Sequence, residues 1–322
     1  MIDTTPSITG TSGVARIYDL VMTHQLDADD FFIHRVQEHC AAAGLNFFLV
    51  EPLWAEAFLQ NLLSGRVWAR VLLNMHSEHH LPEELYHRLV RAAAERNVTV
   101  IDPPDVALAA FDKATLHPRL IGAGIDVPFT VIVPREQVAG FQLTPEDLAA
   151  LGSPFVIKPG MGYGRRGVIL EATTEKDLFR SVATMNNGHY LLQKRVVPRL
   201  LGERPAYFRA YFVFGSVWVC WWNCFTDHYA ELSDADRQQF GLQRLEEIVR
   251  RIAALSGMNF FSSEIAVTGS NEFVAIDYVN DQCHLLTQSA SPKNGVPDAL
   301  VARIARRLVE AAASLASGRK PV

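Results

Sequence analysis

Two stretches of this 322-residue chain hold residue types suited to chemistry on phosphates and metal ions. The first is the run Gly160-Met161-Gly162-Tyr163-Gly164-Arg165-Arg166-Gly167. Half of its positions are glycine, more than the one or two positive-φ positions that a strand-to-strand turn needs. Glycine lets backbone N–H groups approach phosphate oxygens closely and lets a loop move as a lid. Arg165 and Arg166 add positive charge. The run lies between two short apolar segments, not between a strand and a long helix. It therefore lacks the context of a dinucleotide fingerprint, and it lacks the Gly-Lys-Ser/Thr of a Walker loop. The alternative is a plain hairpin turn. Just upstream, Lys158 closes the apolar run Phe155-Val156-Ile157. Burying an unpaired ammonium is costly, so Lys158 is either a surface lysine with its head in water or a phosphate ligand beneath the loop.

The second stretch is acidic. Glu264 sits inside the apolar segment FFSSEIAV, and Asp277 and Asn280 lie in FVAIDYVN. Two carboxylates and an amide oxygen on neighbouring strands can share a hard divalent cation, and Mg²⁺ commonly bridges such groups to nucleotide phosphates. A buried ion pair with an arginine is the competing explanation. Asp277 and Asn280 are three apart, so a regular strand would turn them to opposite sides; a bulge, or a strand end at Val279, would realign them.

Histidines and cysteines carry weaker signals. His76, His79 and His80 follow an apolar run at a spacing that permits Zn²⁺, substrate contacts, or simply a solvated helix start. Cys220 and Cys224 have no matching second pair and read as packed thiols, and the aromatic stretch Tyr207 to Trp222 reads as sheet core.

These residues need elements to position them. Up to Ile101 the pattern alternates strand and helix: strands at 16–22, 45–50, 67–73 and 98–101, and helices at 27–43 (capped by Asp27 or Asp29), 53–63 and 82–96. That alternation predicts a parallel sheet covered on both faces, which binds ligands beyond the carboxyl ends of its strands. Asp102-Pro103-Pro104 marks a boundary. A helix over 105–122 follows, then strands at 129–133 and 155–158, the glycine loop, a return strand at 168–171 and a helix at 175–185. Longer strands occupy 190–196, a hairpin over 206–224 and a hairpin over 260–279. Helices at 234–256 and 296–316 complete the set.

Composition narrows the function. With 49% apolar and 20% charged residues the chain is globular, and length alone suggests about two domains. Thirty basic against 35 acidic residues, net −5, argues against nucleic acid as the main partner. No apolar run of about 18 residues predicts a membrane span. The polar start predicts no secretory signal, and four cysteines in so long a chain predict a reduced, cytoplasmic protein.

Taken in order, these pieces resemble the ATP-grasp enzymes. Asp112 to Val133 (DKATLHPRLIGAGIDVPFTVIV) is similar to the family's lysine-bearing helix running into a Gly-Ile-x-x-Pro-x-Thr strand. Pro154 to Leu170 resembles its second lysine and glycine loop, Leu191 to Val196 its adenine hinge, and Phe208 to Gly215 the arginine-bearing strand that follows. Glu264, Asp277 and Asn280 resemble its metal-binding residues. The resemblance covers about residues 105–286. It implies that Lys113 and Lys158 contact ATP phosphates and that Gly162, Tyr163, Gly164 and Arg165 close over them. Backbone groups of Lys194 and Val196 hold adenine, helped by the side chain of Gln193 or Lys194. Arg209 neutralises the transferred phosphoryl group or acyl phosphate, and Glu264, Asp277 and Asn280 bind one or two Mg²⁺. Two departures stand out: the extra residue between Asp277 and Asn280, and no glutamate just after the hinge for ribose, with Glu203 a distant substitute.

The expectation is an ATP-grasp fold of mixed α/β and α+β class. It has a parallel α/β N-terminal domain (1–104), a small mobile lobe with the glycine lid (105–190) and a C-terminal Mg²⁺-binding lobe (191–322). The implied activity is an ATP-dependent carboxylate–amine ligase acting on small molecules, amino acids among the candidates. A kinase on the same fold and a regulatory nucleotide-binding module are the alternatives, and oligomeric state is left open.

Overall fold

The structure, a computed structural model, describes residues 15–24, 30–76 and 80–321. The expected caps Asp27 and Asp29, and His79, lie outside these residues.

Strands β1 (Arg16–Thr23), β2 (Phe47–Val50), β3 (Val67–Leu73) and β4 (Thr99–Ile101) form a parallel sheet in the order β2-β1-β3-β4. Between them run α1 (Asp30–Ala42), α2 (Ala55–Leu63) and α3 (Leu85–Glu95). Alternate side chains leave the sheet on opposite faces. Leu20 and Met22 enter one core with α1 and the last helix, α10 (Asp298–Ala316), whereas Val21 and Leu72 meet α2 and α3 in another. The covered parallel sheet expected from the alternation is present.

The expected helix over 105–122 is two helices, α4 (Pro104–Phe111) and α5 (Lys113–Gly122). Asp112 breaks them with a non-helical ψ of 98°, and its carboxylate accepts from Ala114 N (3.1 Å) as the cap of α5. The helix-compatible composition hid this, because aspartate competes for local backbone N–H groups. The break places Lys113 at the first position of α5.

A second sheet holds β5 (Thr130–Pro134), β6 (Phe155–Pro159), β7 (Ile169–Ala172) and β8 (His189–Gln193), all antiparallel, in the order β5-β8-β6-β7. Helices α6 (Pro145–Leu151) and α7 (Leu178–Thr184) pack on it through Leu151 and Leu178. After the short pair β9 (Leu200–Leu201) and β10 (Arg204–Pro205) comes a five-stranded antiparallel sheet. It is built from β11 (Tyr207–Val213), β12 (Ser216–Asn223), β13 (His228–Glu231), β14 (Phe260–Val267) and β15 (Phe273–Asn280), in the order β13-β12-β11-β14-β15. The segment expected as one helix over 234–256 is α8 (Asp234–Gln239) and α9 (Arg244–Ser256), interrupted where Gly241 takes φ +66°. Among the described residues no helix is long and apolar enough to cross a membrane.

The central strand β11 is buried along its whole length. Phe208, Ala210 and Phe212 face α9, and Tyr207 and Tyr211 face the opposite core. Asp102, at the end of β4, locks the parallel sheet to the five-stranded one. Its carboxylate accepts from Asn259 N, Asn259 Nδ2 and Phe260 N, each at 2.9 Å. Burial pushes that carboxyl up to about 6 despite these bonds.

Candidate active site

Register creates the site. Arg209 on β11 stands directly opposite Glu264 on β14, and Glu264 opposite Asp277 on β15. Three charged side chains thus share one rung across three strands. Between Ser262 and Ile265 the pairing shifts twice, and each shift inserts an extra residue in β15. The first of these bulges, between Asn280 and Asp277, absorbs their three-residue spacing and brings the two side chains together. The Asn280 amide, oriented by its neighbours, donates to Asp277 Oδ2 (3.0 Å) and accepts from Arg209 Nη1 (3.2 Å).

The rung is tightly bonded. Arg209 Nη2 pairs with Glu264 Oε1 at 2.9 Å, and Tyr207 Oη donates to Glu264 Oε2 at 3.0 Å. Burial works against the Arg209 charge, but Glu264 more than restores it, and its pKa lies well above the ordinary value. Burial, and then Glu264, push the Tyr207 phenol far up, so it remains a donor. Burial pushes Glu264 up while Arg209 draws it back.

Two lysines approach Asp277 from the other side. Lys113 Nζ stands 3.4 Å from Asp277 Oδ1, with both side chains mostly buried. Lys158, at the end of β6, donates to the carbonyl of bulged Ile276 at 3.0 Å. Burial raises the Asp277 carboxyl, but Lys113, Lys158 and Arg209 outweigh it and hold its pKa below the usual range. Burial draws Lys158 down, with Asp277 opposing. Two carboxylates and one amide oxygen form the hard donor set that suits Mg²⁺, and buried Asp277 Oδ1 has only the long contact to the Lys113 ammonium. The residues present therefore fit a divalent cation.

The glycine loop lies over Lys113, whose Nζ approaches Gly162 O at 3.5 Å. Its base is clamped by Asn187, which accepts from Met161 N (3.0 Å) and donates to Met161 O (2.6 Å). Gly167 is fixed by space and by φ +73°: a Cβ there would come within 2.9 Å of Pro159 Cγ. Gly164 takes φ +58° in open space. Valine at Gly164 would be strained by roughly 1–2 kcal/mol without a clash, enough to disfavour this loop conformation. Gly164→Val is expected to lower turnover about tenfold while nucleotide affinity changes by less than about threefold. Equal losses in both would make the loop a static binding element.

Several of the expected nucleotide-binding residues have protein partners. Arg165, expected over phosphates, pairs with Asp227 in the β12–β13 turn at 2.9 Å, which ties the loop to the five-stranded sheet. Tyr163 meets His80 edge-on (6.1 Å) and bonds Arg166 (3.0 Å). The Lys194 N–H, expected to serve adenine, donates to Phe129 O at 2.8 Å. Gln193 is buried and donates to Thr130 Oγ1 and Tyr278 Oη, both at 3.0 Å. His76 stacks on Tyr86 (3.7 Å) and His80 lies near Phe111 (4.8 Å). No group of three or more His, Cys, Asp or Glu that could hold a metal occurs among the described residues.

Sequence reasoning missed Tyr207, Trp222, Asn187 and the pair His117–Tyr278. The aromatic stretch is sheet core on both faces, as expected, but on the Tyr207 and Trp222 face that core also encloses the rung, with the Arg209 guanidinium 4.7 Å from the Trp222 ring. The period-2 pattern Tyr207-x-Arg209-x-Tyr211 carried that signal. His117 Nδ1 meets Tyr278 Oη at 2.5 Å, and burial, then Lys158, push His117 down to about 4, so the imidazole is neutral. No sequence pattern marks that pair or the Asn187 clamp.

No family model and no curated protein matches this sequence. Solved structures match its shape. A RimK-domain ATP-grasp protein from Sphaerobacter thermophilus is 19% identical at TM-score 0.61, over 91% of this chain and 99% of that one. The ATP-grasp ligase PsnB, solved with a minimal precursor, Mg and ADP, is 16% identical at TM-score 0.58, over 93% and 98%. D-alanine–D-alanine ligase from Bacillus anthracis, solved with ATP, is 12% identical at TM-score 0.63, over 95% and 99%. The chain has the ATP-grasp fold.

Proposed function

We propose that this chain is an ATP-dependent carboxylate–amine ligase that requires Mg²⁺. The carrying observation is the rung Arg209–Glu264–Asp277 with Lys113 and Lys158 converging on it from separate elements. Such a cluster suits phosphoryl transfer, which asks mainly for positioning and charge neutralisation. In this reading a substrate carboxylate oxygen attacks the γ-phosphorus of ATP, and ADP departs. An amine then attacks the acyl carbon of the acyl phosphate, losing a proton as phosphate leaves, and an amide remains.

Lys113 and Lys158 hold phosphate oxygens, and Gly162 to Arg165 cover them and exclude water. Lys194 O and Val196 flank adenine, with Gln193 shaping the wall behind. Arg209 faces the charge that builds on the transferring group. Glu264, Asp277 and Asn280 hold Mg²⁺, which supplies further charge neutralisation when bound. Solved structures of the same shape are named as complexes with ATP, or with Mg and ADP, which supports these ligands here. The four free thiols are compatible with a reducing cytoplasm. The bulge between Asp277 and Asn280 accommodates their extra residue, which supports a metal-binding site over a non-catalytic module.

The test is to supply ATP and Mg²⁺ with small carboxylates, amino acids included, singly and with amines. ADP, phosphate and an amide mass appearing only with a pair is the expected result. A stable phosphorylated product would make the protein a kinase. ATP binding without ADP release for any pair would leave a regulatory module.

A further inference from the structure

Arg209 occupies an unusual place for a residue that must meet substrate. Its Nη2 holds Glu264 Oε1, and its Nη1 holds the amide oxygen of Asn280. Those are two of the three acceptors suited to a divalent cation. The guanidinium is therefore seated between the ligands as a cation would be. Tyr207 takes the other Glu264 oxygen, so both oxygens of that carboxylate already face donors. A dication bound to Glu264 and Asn280 would stand within a few ångströms of the guanidinium, and like charges at that distance repel strongly in a buried site.

Beyond these acceptors Arg209 has one long bond, from Nη1 to Ser262 Oγ at 3.4 Å, and its buried Nε makes no hydrogen bond. Its guanidinium carbon lies over the Trp222 ring, 4.7 Å from the centroid, where the ring attracts a cation.

Resting on the ligase reading above, we infer that Arg209 is the built-in counter-cation of the metal-ligand set. Arg209 and the divalent ion compete for Glu264 and Asn280, and binding of the ion releases the guanidinium toward the substrate phosphoryl group. Arg209 would thus be a positioning residue for the ligands before it is a partner of substrate. Its arrival at substrate would depend on the metal being in place, which guards against activating a carboxylate at an incomplete site.

The experiment is calorimetric titration of Mg²⁺ into the protein with saturating ADP, for the wild type, Arg209→Met, Arg209→Lys and Trp222→Phe. Removing a competitor should tighten Mg²⁺ binding in Arg209→Met by about tenfold, within the usual range of coupling between sites. Arg209→Lys, which keeps the charge but reaches one acceptor at a time, should fall between. Wild-type tryptophan emission should change on adding Mg²⁺, and Trp222→Phe should lose that change. Mg²⁺ affinity in Arg209→Met equal to or weaker than wild type overturns the inference, since a mere scaffold would lose ligand order. If Arg209→Met does not fold, the inference is overturned by an Arg209→Lys affinity no tighter than wild type together with an emission change unaffected by Trp222→Phe. Absence of Mg²⁺ and nucleotide binding in the wild type would sink the ligase reading and this inference together, whereas binding that ignores Arg209 sinks only the inference.

Discussion

Asp277→Asn is expected to lower turnover by roughly 10²–10³, the scale seen when one electrostatic element of a transition-state site is removed. Asparagine keeps the shape and can still accept a hydrogen bond, but it is no longer an anionic ligand. Stability should fall too, because Lys113, Lys158 and Arg209 all draw on this carboxylate and only Glu264 would remain to offset them. Asp277 keeps some exposure, so the loss is about 1.5–3 kcal/mol, the range for hydrogen bonds to charged groups. The pH dependence has a definite sign. The folded-state pKa of Asp277 lies below the ordinary carboxylate value, so its stabilisation is present above about pH 4 and fades as pH falls through the lower, folded value. The melting-temperature gap between wild type and Asp277→Asn should therefore be wide at neutral pH and narrow in acid. Turnover within about tenfold of wild type, measured well below the melting temperature, would make Asp277 a structural ion-pair partner only.

Lys158→Met should separate stability from function. Charge-assisted contacts are worth about 1.5–3 kcal/mol, so losing the ammonium should weaken nucleotide binding about tenfold or more. The fold should not suffer in proportion. Burial disfavours this ammonium, and methionine fills a similar volume without that penalty, at the loss of one bond to Ile276 O. The variant is thus expected to melt at or above the wild-type temperature, the trade seen where strained functional groups are replaced. Because the Lys158 pKa is lowered, wild-type nucleotide affinity should decline with rising pH earlier than an ordinary lysine would allow, and Lys158→Met should show no such decline. Unchanged affinity in a folded Lys158→Met removes this lysine from the site.

Much of the frame was legible in the residues. Short apolar runs with interposed helical patterns marked the parallel sheet, because each of its strands buries both faces and each crossover helix must bury one. Of the four glycines at 160–167, Gly164 and Gly167 take positive φ, which a turn alone would ask for, and Gly167 also leaves no room for a Cβ beside Pro159. Helix ends were less legible. Asp112 and Gly241 break helices whose flanks are otherwise continuous, and a single capping or left-handed residue outweighs a weak propensity summed over its neighbours.

By itself, then, the sequence determined which residues carry charge, which strands bury both faces and where the backbone needs glycine, since these are local properties of composition and period. Only the tertiary structure decided who meets whom. That Arg209, Glu264 and Asp277 share one rung depends on strand register, and register depends on two bulges in β15 that no local pattern encodes. That Lys113 faces Asp277 depends on a helix break at Asp112. That Arg209 sits on Glu264 and Asn280 instead of pointing outward depends on burial: once both faces of β11 are covered, a guanidinium there must find acceptors among its neighbours, and those neighbours come from strands more than fifty residues away.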